Sequence, residues 1–193
     1  LSSQQRDAQV RRLLRYYESR RDLALSDRPK SMHLMEGQSY SLSFRKADPK
    51  FNGLLWSYHW LQMALYDALL IDGSESDRRA AVDEAVARFW AMLNAAPDSM
   101  PAVMPMSAAI APAFSARYPE AAIIFDNLHA LHDVVADILA SSEVPSYRKR
   151  ETILVAAARF RDDTTAVVSR ADWIAMSHAM GVERMGGVAV PRP

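Results

Sequence analysis

The apolar residues of this chain recur with the 3.6-residue period of an α-helix in nearly every segment that Pro and Gly do not interrupt. No stretch shows a sustained alternation of β-branched and polar residues, so the pattern predicts an all-α protein. We expect one domain over residues 1–193, built as a single helical bundle of about six or seven helices. Its predicted parts are an N-terminal helix at 1–25, a long loop at 26–49, a helical core at 50–181 and an extended C-terminal tail at 182–193.

The predicted loop at 26–49 is the longest segment without helical periodicity. It contains Pro29, Gly37 and Pro49, and loops of this length are uncommon in compact domains and often functional. We therefore expect the loop to wrap over a site. The weak alternation of residues 39–45 favours a short extended strand within it.

The helix predicted after Pro119 is amphipathic. Its apolar residues share one broad arc, which contains Ile124, Leu128, Leu131, Val135, Ile138 and Leu139. The opposite side carries a polar stripe of Asp126, His129, Asp133 and Asp137, with His132 at its border. Two interpretations of this polar stripe are open, because it faces either water or a polar surface that the rest of the protein provides.

The helix predicted over 49–71 is apolar around almost its whole circumference, which is typical of a helix in the middle of a bundle. Its few polar side chains fall in one sector and comprise Asn52, His59, Gln62 and Tyr66. A buried polar group without a partner costs about 1–3 kcal/mol, so this line of polar residues predicts a second polar line opposite it. The polar stripe after Pro119 is the best candidate in the chain.

If the two polar lines meet, their residues predict a metal site. His129 and His132 lie about one helical turn apart, Asp133 adds a carboxylate, and His59 approaches from the facing helix. Such a set suits a divalent transition metal, namely zinc, iron, manganese or copper. Two structural alternatives stay open: the His and Asp residues form hydrogen bonds that fix the helix register, or the stripe is exposed to solvent.

We expect the chain to be a small soluble helical protein that binds a metal ion or a small polar ligand through this His/Asp cluster. The alternative is a non-catalytic accessory or interaction subunit of a larger assembly, in which the cluster is purely structural. Such a subunit would contact its protein partner through the C-terminal tail or the Pro-rich connector at 97–106. No catalytic residue is predicted, and an enzyme would have to use a metal-bound water at the same cluster.

Methionines form a second set of candidate ligands. Met32 and Met35 lie in the long loop with His33, whose imidazole belongs to the same set, and Met100, Met104 and Met106 lie in the Pro-rich connector. Thioethers suit Cu(I), whereas Met is also a common filler of irregular apolar gaps.

Composition narrows the range of functions further. The chain has 23 Lys and Arg against 23 Asp and Glu, which provides no basic surface for nucleic acid. The absence of Cys excludes disulfides, iron–sulfur clusters and covalently attached haem. No segment approaches the roughly 20 apolar residues of a membrane span.

The chain begins at Leu1, which fits two alternatives. Either it is an exported protein, periplasmic or secreted, that has lost a signal peptide, or its terminus has been trimmed. We favour the exported protein.

Overall fold

The computed structural model describes residues 1–95 and 104–180. Within these residues the chain forms ten α-helices and no strand, and an isolated antiparallel bridge joins Lys30 to Val167. The helices are α1 (Ser3–Glu18), α2 (His33–Glu36), α3 (Ser43–Ala47), α4 (Pro49–Ala68), α5 (Glu75–Ala95), α6 (Ser107–Ile110), α7 (Pro112–Arg117), α8 (Pro119–Ala140), α9 (Ser146–Arg161) and α10 (Arg170–Ala179). The predicted all-α fold class is confirmed.

Short helices explain why the described residues contain more helices than the predicted six or seven. α2, α3, α6 and α7 have only four to six residues each, which is too short for an apolar period to appear. Three of the helices, one of them short, begin at a recognisable sequence signal. Pro49, Pro112 and Pro119 each lie in the first turn of a helix, where the missing N–H costs nothing.

The segment at 26–49 is not the open loop that the sequence suggests, because it contains α2 and α3. The expected strand at 39–45 is wrong, since α3 begins at Ser43. The physical reason is a long-range cap. The Asp137 carboxylate of α8 accepts hydrogen bonds from the backbone N–H groups of Leu42 and Phe44, both at 2.9 Å. Leu42 adopts a left-handed φ of 65° to present them.

The N-terminal helix is shorter than the sequence predicts. The N-terminal helix ends at Glu18 rather than near residue 25, and a 3₁₀ turn at Arg21–Leu23 follows it. The predicted tail at 182–193 and the connector residues 97–103, which include Met100, lie outside the described residues.

Two groups of buried apolar side chains form the core. One lies among α8, α9 and α10 and includes Val134, Phe160 and Trp173. The other joins α4 to α5 and α6 and includes Trp60 and Phe89. In the described part of the chain, no helix is long and apolar enough to cross a membrane.

The helix with the widest set of neighbours is α8, which packs against α2, α3, α6, α7 and α9. The sequence suggested α4 for this position. However, α4 buries only one side, and its Phe51 and Tyr58 are more than half exposed. The number of apolar residues in α4 overstates the burial of this helix. The Tyr58 ring, for example, packs edge-on against Phe89 while part of it stays in solvent.

Candidate functional site

The polar stripe of α8 faces the protein interior for most of its length. The exposed fractions of Asp126, His129 and Asp137 are only 4%, 4% and 7%, whereas Leu128 and Leu139 on the other side are about half exposed. Of the two open interpretations, the described structure therefore has the stripe facing protein. Each buried polar group on it then requires a partner.

The two ends of the stripe have such partners. Asp126 accepts hydrogen bonds from the backbone N–H and the hydroxyl of Ser107, at 2.9 and 2.6 Å, and from Nε1 of Trp173 at 2.8 Å. Asp137 caps α3 through its two backbone contacts. These two carboxylates fix α8 relative to α3, α6 and α10, so this part of the stripe is structural.

The middle of the stripe meets His59 of α4. The His59 and His129 rings stack with their centroids 3.7 Å apart and an angle of 15° between their planes. His132 approaches His59 edge-on, with a centroid distance of 5.4 Å. The structure thus brings together the three histidines that the sequence singled out from two different helices.

Asp133 belongs to the outer edge of this cluster. Its Oδ1 lies 3.6 Å from Nδ1 of His132, and both side chains reach solvent. Phe125, one turn before His129, closes the inner side, with its ring centroid 4.1 Å from that of His129 and the two rings at 73°. Sequence analysis did not select Phe125, although its position four residues before His129 is the signal that would have found it.

Burial and neighbouring charge divide the three imidazoles into two kinds. Burial, assisted by the nearby His59 and His132, lowers the pKa of His129 to about 2. Burial also lowers the pKa of His59. The Asp133 carboxylate raises the pKa of His132. At neutral pH, His59 and His129 are therefore neutral. One nitrogen of each ring then has a lone pair that carries no proton.

The Nδ1 atom of His129 has no hydrogen-bond partner among the described residues, although it is buried. Leaving such an atom unpaired costs about 1–3 kcal/mol. In this respect His129 differs from Asp126 and Asp137, whose carboxylates accept hydrogen bonds from protein groups. A structural role for the whole stripe does not explain His129.

The remaining predicted polar residues of α4 separate. Asn52 lines a cleft together with Asp133, Asp137 and Arg45 of α3. Gln62 is exposed, and its amide donates to the Tyr66 hydroxyl at 3.1 Å. Sequence analysis missed Arg45, and nothing in the sequence indicates that α3 would fold against α8.

The stacked arrangement limits what the cluster does as it stands. The His59 and His129 rings are stacked nearly parallel, and among the described residues no group of three or more His, Asp or Glu is arranged around a common point as in a metal site. No protein-family model matches this chain, and comparisons with curated proteins and with solved structures give no match either.

Proposed function

We propose that this protein binds a divalent transition metal ion through the imidazoles of His59, His129 and His132. The observation that carries the proposal is the unpartnered, buried Nδ1 of His129 at the centre of three contacting imidazoles. A bound ion would supply the partner that this atom lacks. Asp133 would serve as a fourth ligand or hold the His132 ring in place.

The protonation state of the cluster supports metal binding. An imidazole must be neutral to bind a metal, so metal competes with protons at an ordinary histidine. The pKa of both His59 and His129 is lowered, and this competition is absent at neutral pH. Nitrogen donors with one carboxylate suit Zn²⁺ or Cu²⁺ better than Mg²⁺ or Ca²⁺.

The exposure of the cluster allows the rings to reorganise around an ion. His132 is exposed and His59 is only half-buried, so both rings can rotate about their side-chain torsions towards His129. His129 is held between Phe125 and His59 and would act as the fixed donor.

Calorimetric titration of the chelator-treated full-length chain with Zn²⁺ tests the proposal. We expect one ion to bind per chain, and we expect His129→Gln to weaken binding at least tenfold. His33→Gln is the matched control, because His33 is exposed and lies outside the cluster.

Equal affinity of the wild type and His129→Gln would refute the proposal, as would a wild type that takes up no Zn²⁺. Circular dichroism of His129→Gln checks that the variant is folded. If it is not, the half-buried His59→Gln replaces it with the same expected loss.

A second candidate function, the non-catalytic interaction subunit, is favoured by α1. None of the residues of α1 is buried in the described structure, and its apolar stripe of Val10, Leu13 and Leu14 is about half exposed. This function needs the apolar stripe of α1 but no imidazole donor. Two results together would favour the interaction subunit over metal binding. The chain would bind no Zn²⁺, and it would associate with a partner in a way that Leu13→Glu abolishes.

A further inference from the structure

Methionines from two distant parts of the chain meet in one small buried cavity. Met32 and Met35 come from α2 and the residue before it, and Met104 and Met106 come from the segment that precedes α6. Met35, Met104 and Met106 are only 5%, 2% and 2% exposed. The cavity lies apart from the His cluster, with which it shares no lining residue.

We propose that this cavity binds one Cu(I) ion through the thioether sulfurs of Met35, Met104 and Met106, with Met32 at its mouth. Thioethers are soft ligands that select Cu(I) over Zn²⁺ and the harder divalent ions. With no Cys in the chain, Met supplies its only side-chain sulfur. The proposal does not depend on metal binding by the imidazoles.

The size of the cavity favours a bare ion over a molecule. Its volume is about 10 Å³, which is close to the lower limit for a single water. A dehydrated monovalent ion fits such a space, whereas an organic ligand does not. Met32 is only partly buried and therefore provides a flexible side chain between the cavity and solvent.

The charges around the cavity also favour a monovalent cation. The Asp126 carboxylate lines it, and the hydrogen bonds described above for Asp126 all come from neutral donors, on Ser107 and Trp173. Lys30 lines the same cavity, but its ammonium donates to the backbone carbonyls of Asp162 and Thr165, at 2.6 and 2.9 Å. A buried carboxylate is stabilised by a cation close to it.

Burial raises the pKa of Asp126 to about 6, whereas the hydrogen bonds from Ser107 and Trp173 lower it. A cation beside the carboxylate would favour its ionised form. Because the Asp162 carboxylate lies 3.5 Å from the Lys30 ammonium and balances its charge, one further positive charge in the cavity would balance an ionised Asp126, whereas a divalent ion would leave an excess positive charge in an apolar core.

Anaerobic competition for Cu(I) between the full-length chain and a coloured Cu(I) chelator tests the proposal. We expect the wild type to withdraw one Cu(I) per chain from the chelator. Met35→Leu/Met104→Leu preserves apolar volume but removes two sulfurs, and we expect its Cu(I) affinity to fall at least tenfold. Met92→Leu is the matched control, because Met92 is equally buried but lies in the other core group.

Two results would overturn the proposal. One is a wild type that withdraws no Cu(I), and the other is a Met35→Leu/Met104→Leu variant that binds Cu(I) as tightly as Met92→Leu. If the double variant does not fold, X-ray absorption of the copper-loaded wild type decides the question. Sulfur neighbours are expected, and a shell of nitrogen neighbours would contradict the cavity as the site.

Discussion

At the scale of single residues, the described polar stripe of α8 combines buried groups that have hydrogen-bond partners with one buried nitrogen, Nδ1 of His129, that has none. Asp126 and Asp137 each accept several hydrogen bonds, so their burial is a matter of fold. His129 is as deeply buried as Asp126 but leaves Nδ1 unpaired. This difference separates the carboxylates, which have hydrogen-bond partners, from the histidine for which we propose metal binding.

The buried His129 predicts a pH-dependent stability. The pKa of His129 is lowered to about 2 in the folded chain, whereas in the unfolded chain it is near 6.5. At this site the unfolded chain therefore binds more protons between these values, so the contribution of His129 lowers the stability of the wild type as the pH falls below about 6.5. His129→Phe lacks this loss, and relative to the wild type it should gain about 1 kcal/mol between pH 7.5 and pH 5.5.

Urea unfolding of the metal-free proteins at the two pH values measures this difference. Asp126 and His59 titrate in both proteins, so their contributions largely cancel. His33→Phe serves as the control and should track the wild type, since His33 is exposed. A difference between wild type and His129→Phe that stays constant with pH would contradict the account.

At the scale of elements, the sequence predicts the helices that have a long apolar period or a Pro start, and it misses those that depend on distant contacts. The helices predicted over 49–71 and after Pro119 begin at Pro49 and at Pro119. α3 exists because Asp137, far along the chain, caps its first turn. The meeting of His59 with His129 was predictable, since buried polar lines require partners, whereas the cleft beside Arg45 was not.

The α1 helix leads to a prediction about stability. Because none of its residues is buried in the described structure, it adds little to the folded core, and an isolated helix of this length is marginal in water. Deletion of residues 1–18 should leave the thermal unfolding midpoint within about 2 °C of the wild type.

Differential scanning calorimetry checks this prediction. Asp137→Ala is the comparison, because it leaves the N–H groups of Leu42 and Phe44 without their acceptor and should destabilise the chain by about 1–2 kcal/mol. A large fall in the midpoint on deleting α1 would show that the helix packs against the core.

At the scale of the whole molecule, the His cluster joins the two groups of core side chains. His59 belongs to α4, which packs on α5, and His129 belongs to α8, which packs on α9. The ring contact between His59 and His129 therefore joins α4 to α8. An ion bound between these two rings would connect both groups of core side chains. The hydrogen bonds of Asp126 to Ser107 of α6 and Trp173 of α10 also connect them.

Nitrogen NMR of the histidine rings during Zn²⁺ titration tests the central proposal most directly. We expect the imidazole nitrogens of His59, His129 and His132 to shift together and to saturate at one ion per chain, while those of His33 and His178 stay unchanged. No shift at His129, or shifts confined to His33 and His178, would contradict the account.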